Sequence, residues 1–520
     1  MAVRWTEEQQ QAIDLEGKNI IVSAGAGSGK TAVLTERVLR KLKNGVNIDN
    51  LLILTFTKAA AHEMKERIRK AIKKVPNLSS QLDKIDGAYI TTFDSYALSI
   101  VKKYHHILNV SNNISICESS IINLEKEKII NEIFEQLYNE NNNKFLKLIG
   151  DFCVKDDKEI KDSIISISNK LDLKYDKEEY LLNYVKIRFN NDAIYNDIKT
   201  FTNILIEKIN SIVFELKNLN MYVESDYYIK IYDALNKLLS SKTIEDIYIN
   251  MDVKLPSIPR GTDELGKASK EKISNILKEI QNLAIYKDED EIKNSILHTK
   301  EYVEIIIDII LKLDKKLNEF KFEKDLYEFN DIAKMAIKIL KENPSIALEL
   351  KNSLNEILID EYQDTNDLQE DFISMISNNN VYMVGDIKQS IYRFRNANPY
   401  IFKNKYDTYT NGELGIKIDL NKNFRSRKEV LDNINIIFNL IMDDLIGGAE
   451  YKSSHQMIFG NFTYEEEGKT SQNNNIEFYS EILPDNVQKT ETVAREKRQE
   501  FFKKCYKKFN ADGLFLAHTK

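Results

Sequence analysis

The segment Ala24-Gly25-Ala26-Gly27-Ser28-Gly29-Lys30-Thr31 constrains this chain more than any other. It follows a short apolar run, Asn19 to Ser23, and precedes a stretch that sets Leu34, Val38 and Leu42 on one helical face. Strand, glycine-rich loop and helix in that order commit the region to an open α/β sheet. The glycines let backbone N–H groups turn inward around a phosphate, and the helix N-terminus favours negative charge there. Lys30 is expected to reach the β- and γ-phosphates of a nucleoside triphosphate, and the Thr31 hydroxyl to ligate Mg²⁺. Ala24 stands where the general pattern has glycine, which an ordinary negative φ accommodates.

A second element, Ile357-Leu358-Ile359-Asp360-Glu361, pairs with the loop chemically. An apolar strand that ends in two carboxylates supplies a metal ligand, Asp360, and a base for water, Glu361. Both motifs must meet one nucleotide, so the two strands are expected in one sheet. Residues 1–118 alternate short β-like runs (Ile20–Val22, Leu51–Thr55, Ala88–Thr92) with helical patterns, the signature of a parallel sheet. From 119 to 325 the pattern is helical throughout, with Ile130, Ile133, Phe134 and Leu137 on one face and a loop at Pro256, Pro259 and Gly261. Alternation resumes over 326–430, with Ile357–Ile359 and Val381–Val384 reading as buried strands. The expected fold is therefore a RecA-like parallel α/β domain interrupted by a large all-helical insertion. Residues 431–520 are expected to begin a second RecA-like domain.

Composition excludes several classes. Of 520 residues 30% are charged, and the absence of a long apolar run excludes a membrane span. The opening residues lack the apolar core of a signal peptide. Cys117, Cys153 and Cys505 are scattered, which suits free thiols in a reducing cytoplasm rather than a disulfide framework or a metal site. A net charge of −7 argues against indiscriminate coating of DNA, yet a motor grips one strand in a local groove. The basic stretch from Arg495 to Lys508 reads as a solvated helix, and Gly513 to Lys520 as an apolar strand.

Between and after the phosphate motifs lie further short segments. They are Thr6-Glu7-Glu8-Gln9, Thr55-Phe56-Thr57-Lys58-Ala59-Ala60 and Thr91-Thr92-Phe93-Asp94-Ser95-Tyr96. Later come Asp360-Glu361-Tyr362-Gln363-Asp364-Thr365-Asn366, Gly385-Asp386-Ile387-Lys388-Gln389-Ser390-Ile391-Tyr392-Arg393-Phe394-Arg395 and Leu420-Asn421-Lys422-Asn423-Phe424-Arg425-Ser426-Arg427. This series resembles the UvrD-like helicases of superfamily 1, and most of all the AddA type of ATP-dependent helicase/nuclease found in AddAB complexes. The resemblance covers residues 1 to about 120 and 325 to 435; the helical stretch matches by length and character.

The resemblance implies ATP and Mg²⁺ as ligands, held by the loop Ala24, Gly25, Ala26, Gly27, Ser28, Gly29, Lys30 and Thr31. It implies that Gln9 and Arg37 contact adenine while Phe424 stacks beside it. Asp360 would bind the metal, Glu361 polarise the attacking water, and Gln389 and Arg425 reach the γ-phosphate. Phe56, Lys58, Tyr392 and Phe394 would face DNA. Its partners would be single-stranded or duplex DNA and a second, AddB-type chain, and its work 3′–5′ translocation in double-strand break repair. Asp94 departs from the histidine common in relatives, which puts a DNA contact there in doubt. Nothing after Arg427 resembles the later helicase motifs or a nuclease domain. A single arginine finger contributes about 10³–10⁵ in rate in related sites, so weak ATP binding and no unwinding are expected of this chain alone. Alternatives are a non-motor module holding nucleotide or a partner, and a UvrD-like helicase of a defence system. The aromatic pair Tyr392 and Phe394 could also be core packing.

Overall fold

The computed structural model describes residues 5–412, 414–443 and 448–463. The expectations for Arg495–Lys508, Gly513–Lys520 and Cys505 lie outside the described residues, as does most of 431–520. The described residues form two compact units. One holds the residues up to 22, 33–385 and 389–418; the other holds 23–32, 386–388 and those from 419 onward.

Ten strands are described: β1 (Ile20–Ala24), β2 (Leu51–Thr55), β3 (Ile90–Thr92), β4 (Ser115–Ile116), β5 (Leu326–Tyr327), β6 (Glu356–Ile359), β7 (Val381–Gly385), β8 (Ile416–Leu420), β9 (Lys422–Asn423) and β10 (Ile458–Phe459). Six of them make one sheet in the order β3-β2-β6-β7-β1-β8. The pairs β2–β3, β2–β6 and β6–β7 are parallel, with Leu54 opposite Ile359 and Ile359 opposite Met383. Strands β1, β2, β6 and β7 are buried along their whole length, which is why they read as continuous apolar runs rather than alternating ones. The phosphate loop and the Asp360 segment thus follow strands of the same sheet, as expected.

The sheet is an α/β one of the P-loop kind. Strand β1 feeds its loop into the helix Lys30–Lys43, whose Val33, Leu34, Val38 and Leu42 are buried. Strand β2 feeds the helix Lys58–Ile72, capped by Thr57, whose hydroxyl accepts from the Ala60 N–H at 3.1 Å. Strand β3 leads directly into Phe93–Lys103, capped in the same way by Thr92. Each cap ends a strand, satisfies an orphan amide of the next helix, and so fixes where the connecting residues stand.

Between β4 and β5 the chain is helical, from Ser119–Asn139 to Lys300–Lys324. Strands β4 and β5 pair in parallel, so the two ends of this stretch lie side by side. Its apolar faces close two separate cores. Ile130, Ile133, Phe134 and Leu137 pack with Ile309 and Leu313 in one. Leu205, Ile212, Leu235 and Leu277 meet in the other. Among the described residues no helix is long and apolar enough to cross a membrane.

Candidate nucleotide and strand-binding site

The smaller unit carries the phosphate loop. Ala24 closes β1, fully buried and outside the set of positive-φ residues, so an alanine fits there. Gly27 and Gly29 adopt φ of 70° and 86°, conformations that side chains other than glycine rarely take. A second segment of the same unit is strapped across the loop. The Phe424 N–H donates to the Gly27 carbonyl at 2.9 Å, and Asn423 Nδ2 donates to the Ala26 carbonyl at 2.7 Å. Asn423 Oδ1 accepts from the N–H groups of Arg425 (2.9 Å) and Ser426 (2.8 Å). A Cβ at Gly27 would stand 2.8 Å from the Arg425 Cβ, so only glycine lets the two segments close. Phe424 lies against Gly460, and Arg425 is exposed.

The larger unit carries the acidic pair. Strand β6 ends with the Asp360 N–H on the Leu54 carbonyl at 2.9 Å, which continues the ladder one residue past Ile359. Glu361 then turns left-handed, with φ 54° and ψ 45°. For a glutamate this costs on the order of 1–3 kcal/mol, and such strain gathers at functional positions. Contacts on both sides hold it: Glu361 N–H donates to Asp360 Oδ1 at 3.1 Å, and Gln363 Nε2 donates to Glu361 Oε2 at 2.9 Å. Gln363 is 1% exposed, and its amide nitrogen also reaches Asp364 Oδ2 at 3.2 Å. The Ser390 hydroxyl donates to its carbonyl at 3.3 Å. At Gly385 a Cβ would come within 2.5 Å of Gln363 Oε1, so β7 must end in glycine to admit this amide.

The same unit brings the aromatic residues together. Phe56 and Tyr392 have ring centroids 4.6 Å apart, and Tyr392 and Phe394 5.8 Å. Phe394 is 76% exposed, which removes core packing as its role. Lys58 is also exposed, in the first turn after the Thr57 cap. A cleft of about 490 Å³ opens at the carboxyl ends of β2, β3 and β6, lined by Thr55, Phe56, Asp94, Asp360, Glu361 and Asn366 among others. Asp94 is half-buried in it. Desolvation pushes its carboxyl up to about 6, against the pull of the Lys58 ammonium.

Arg37, expected at the adenine, is engaged within the protein. It is fully buried, and its five N–H donors are taken. Nε and Nη2 grip Glu356 at 2.9 and 2.6 Å. Nη1 donates to the carbonyls of Ala12 (2.9 Å) and Ile13 (3.2 Å), and Nη2 also to that of Leu15 (2.7 Å). The guanidinium lies 4.2 Å over the Tyr382 ring. Arg37 therefore closes the C-terminal carbonyls of the helix Glu7–Asp14 and ties them to β6. Gln9 caps the other end of that helix, its Oε1 accepting from the Thr6 N–H at 3.0 Å. A carbonyl oxygen keeps a second lone pair, so this cap is compatible with a further contact.

Comparison with known proteins agrees with this geometry. Residues 5–410 match the UvrD/REP helicase N-terminal domain. The chain belongs to the UvrD/REP helicase family. Among its relatives is the A subunit of an ATP-dependent helicase/nuclease from Clostridium novyi (strain NT), 36% identical over 507 residues, covering 88% of this chain and 41% of that protein. The protein of the same name from Clostridioides difficile (strain 630) is 34% identical over 523 residues, covering 90% and 41%. The chain thus spans about two fifths of the length of the curated relatives it matches.

Two residues of this chain carry more than their motifs announce. Asn423 straps the phosphate loop, and Gln363 holds the Glu361 carboxylate. Both sit inside recognisable motif segments, yet their partners are set only by the fold. Among the described residues no group of three or more His, Cys, Asp or Glu could hold a metal by itself. Mg²⁺ needs no such cage, since it keeps waters and substrate phosphates beside one or two protein oxygens. The Thr31 hydroxyl and the Asp360 carboxylate are hard oxygen donors of that kind.

Proposed function

We propose that this chain is the ATP-binding part of a DNA motor of the AddA helicase/nuclease type, moving 3′ to 5′ along a single strand during double-strand break repair. The observation that carries the reading is the strap of Asn423 and Phe424 over Ala26 and Gly27, which ties Arg425 to the phosphate loop. In the proposed mechanism the loop N–H groups and Lys30 bind the phosphates, and Arg425 and Gln389 meet the γ-phosphate. Glu361, aimed by Gln363, takes the proton of the attacking water. Phe424 and Gln9 would hold adenine, without Arg37. Bound Mg²⁺, held by Thr31 and Asp360, would neutralise charge on the triphosphate.

The strand-binding face would be Phe56, Lys58, Tyr392 and Phe394. Gln363 links the two tasks, since it touches Glu361 through its side chain and Ser390 through its carbonyl. A change at the γ-phosphate would then shift the segment that bears Tyr392. An AddB-type partner chain, an all-helical insertion over 119–325 and the beginning of a second RecA-like domain belong to the same reading. The relatives are named as one subunit of a helicase/nuclease, which supports the partner, and the helices between β4 and β5 support the insertion.

Coupling is the test. Affinity for a fluorescent oligothymidylate would be measured with and without Mg²⁺ and a non-hydrolysable ATP analogue. A change of several-fold that disappears in Gln363→Ala is expected. Equal affinities in all four conditions would remove the coupling and the motor with it.

A further inference from the structure

Away from the cleft, a cavity of about 270 Å³ opens where the helical stretch rejoins the sheet. Its walls come from the loop Leu108–Val110, the end of the helix Lys300–Lys324, β5 and the helix Phe329–Glu342. We propose that this cavity is a binding site for a phosphate ester, gripped by Lys334, Lys338 and the Tyr327 hydroxyl against an apolar wall of Val110, Phe322 and Met335.

Three observations converge on it. Tyr327 is only 3% exposed, and its hydroxyl has no hydrogen-bond partner among the described residues. A buried hydroxyl without a partner costs about 1–3 kcal/mol, a debt that a ligand oxygen would remove. Burial and the nearby carboxylates of Asp325 and Asp331 hold its pKa above the ordinary phenol value, so it is an O–H donor at any physiological pH. Lys334 makes no hydrogen bond or ion pair within 4.0 Å among the described residues, and desolvation pulls its pKa down. The carboxylates of Asp172, Asp331 and Asp314 act on this ammonium from beyond ion-pair distance, so its N–H donors have no direct acceptor among the described residues.

The one carboxylate in the lining is engaged elsewhere. Asp331 Oδ2 accepts from Lys321 Nζ at 2.7 Å and from the Glu328 N–H at 2.8 Å. Lys321 is further held by Glu328 at 3.0 Å. These three groups carry one net negative charge, but of their carboxylates only Asp331 lines the cavity, against the three ammoniums of Lys321, Lys334 and Lys338. Lys338 is paired only with Glu342 at 4.0 Å among the described residues.

The donors are two point charges and a hydroxyl from separate elements, with no arginine fork among the lining residues. That suits a tetrahedral phosphate rather than a planar carboxylate. Ligand pockets usually run from about 300 to 1,000 Å³, so the volume admits one phosphate ester and no longer piece of strand. The ester could belong to a DNA backbone or to a free nucleotide; the chemistry of recognition is shared.

The test uses the full chain carrying Lys30→Ala, so that the phosphate loop does not report. Binding of thymidine 5′-monophosphate is followed by calorimetry and by ³¹P line width. Lys334→Met should weaken it about tenfold, the scale of one charge-assisted contact, and Tyr327→Phe about threefold with unchanged circular dichroism. Displacement of the monophosphate by a decathymidylate lacking terminal phosphates assigns the site to a strand backbone. No displacement assigns it to a free ester; both outcomes support the site. Failure of the Lys30→Ala chain to bind the monophosphate, or binding unaltered by Lys334→Met and Tyr327→Phe, overturns the proposal.

Discussion

Arg37→Met is expected to unfold the chain sooner without weakening its hold on nucleotide. The guanidinium gives Glu356 two short hydrogen bonds, and the carboxylate it neutralises is only 5% exposed. Removing one partner of a buried pair leaves an uncompensated charge, at a cost of about 3–5 kcal/mol. The carbonyls of Ala12, Ile13 and Leu15 lose their donor as well. Lys41, 3.5 Å from Glu356, recovers part of the loss by turning to it alone. A net cost near the lower figure, about 3 kcal/mol, is a large share of the roughly 5–15 kcal/mol that holds a domain folded. Urea unfolding followed by circular dichroism would read it as a lower midpoint at unchanged slope. In the double variant Arg37→Met/Glu356→Leu the buried charge is gone, and about 0.5–3 kcal/mol should return as coupling energy. A wild-type urea midpoint together with a tenfold weaker ATP affinity would refute the reasoning and restore Arg37 to the adenine.

Asp94 makes the fold sensitive to pH. Between the ordinary carboxylate value of 3.8 and about 6 the folded chain keeps a proton that the unfolded chain has lost, so its contribution to stability falls as pH rises through this window. Asp94→Asn should flatten that slope and stabilise the chain at pH 7 by at most ~3 kcal/mol, read from urea midpoints at pH 5 and 7. Tyr392→Ala should weaken oligothymidylate binding by about 1–3 kcal/mol in fluorescence anisotropy, the scale of one base stack. Asn423→Ala, which cuts the strap to Ala26, should lower affinity for an ATP analogue about tenfold while leaving that for DNA unchanged.

Much of the sheet was legible because its strands are buried on both faces. Leu51–Thr55 is an apolar run bounded by polar turns, and β2 occupies that span. The acidic pair could be placed in the same sheet as the phosphate loop because chemistry demanded it. Arg37 could not be read. A charge one turn after Leu34 and next to Val38 looks like a ligand contact until its partner, 319 positions away, is known. Asn423 was hidden for the same reason, 397 positions from Ala26. Gly385 carries no local sign that Gln363 needs the space. Apolar periodicity records how each element faces the core, but not which buried polar groups will meet there.

The central claim is that this chain seats a triphosphate on Lys30. Equilibrium binding of a fluorescent ATP analogue in the presence of Mg²⁺ measures it most directly. Saturable binding that weakens tenfold or more in Lys30→Ala, at an unchanged urea midpoint, is the predicted result. Equal affinity in the parent chain and in Lys30→Ala would contradict it.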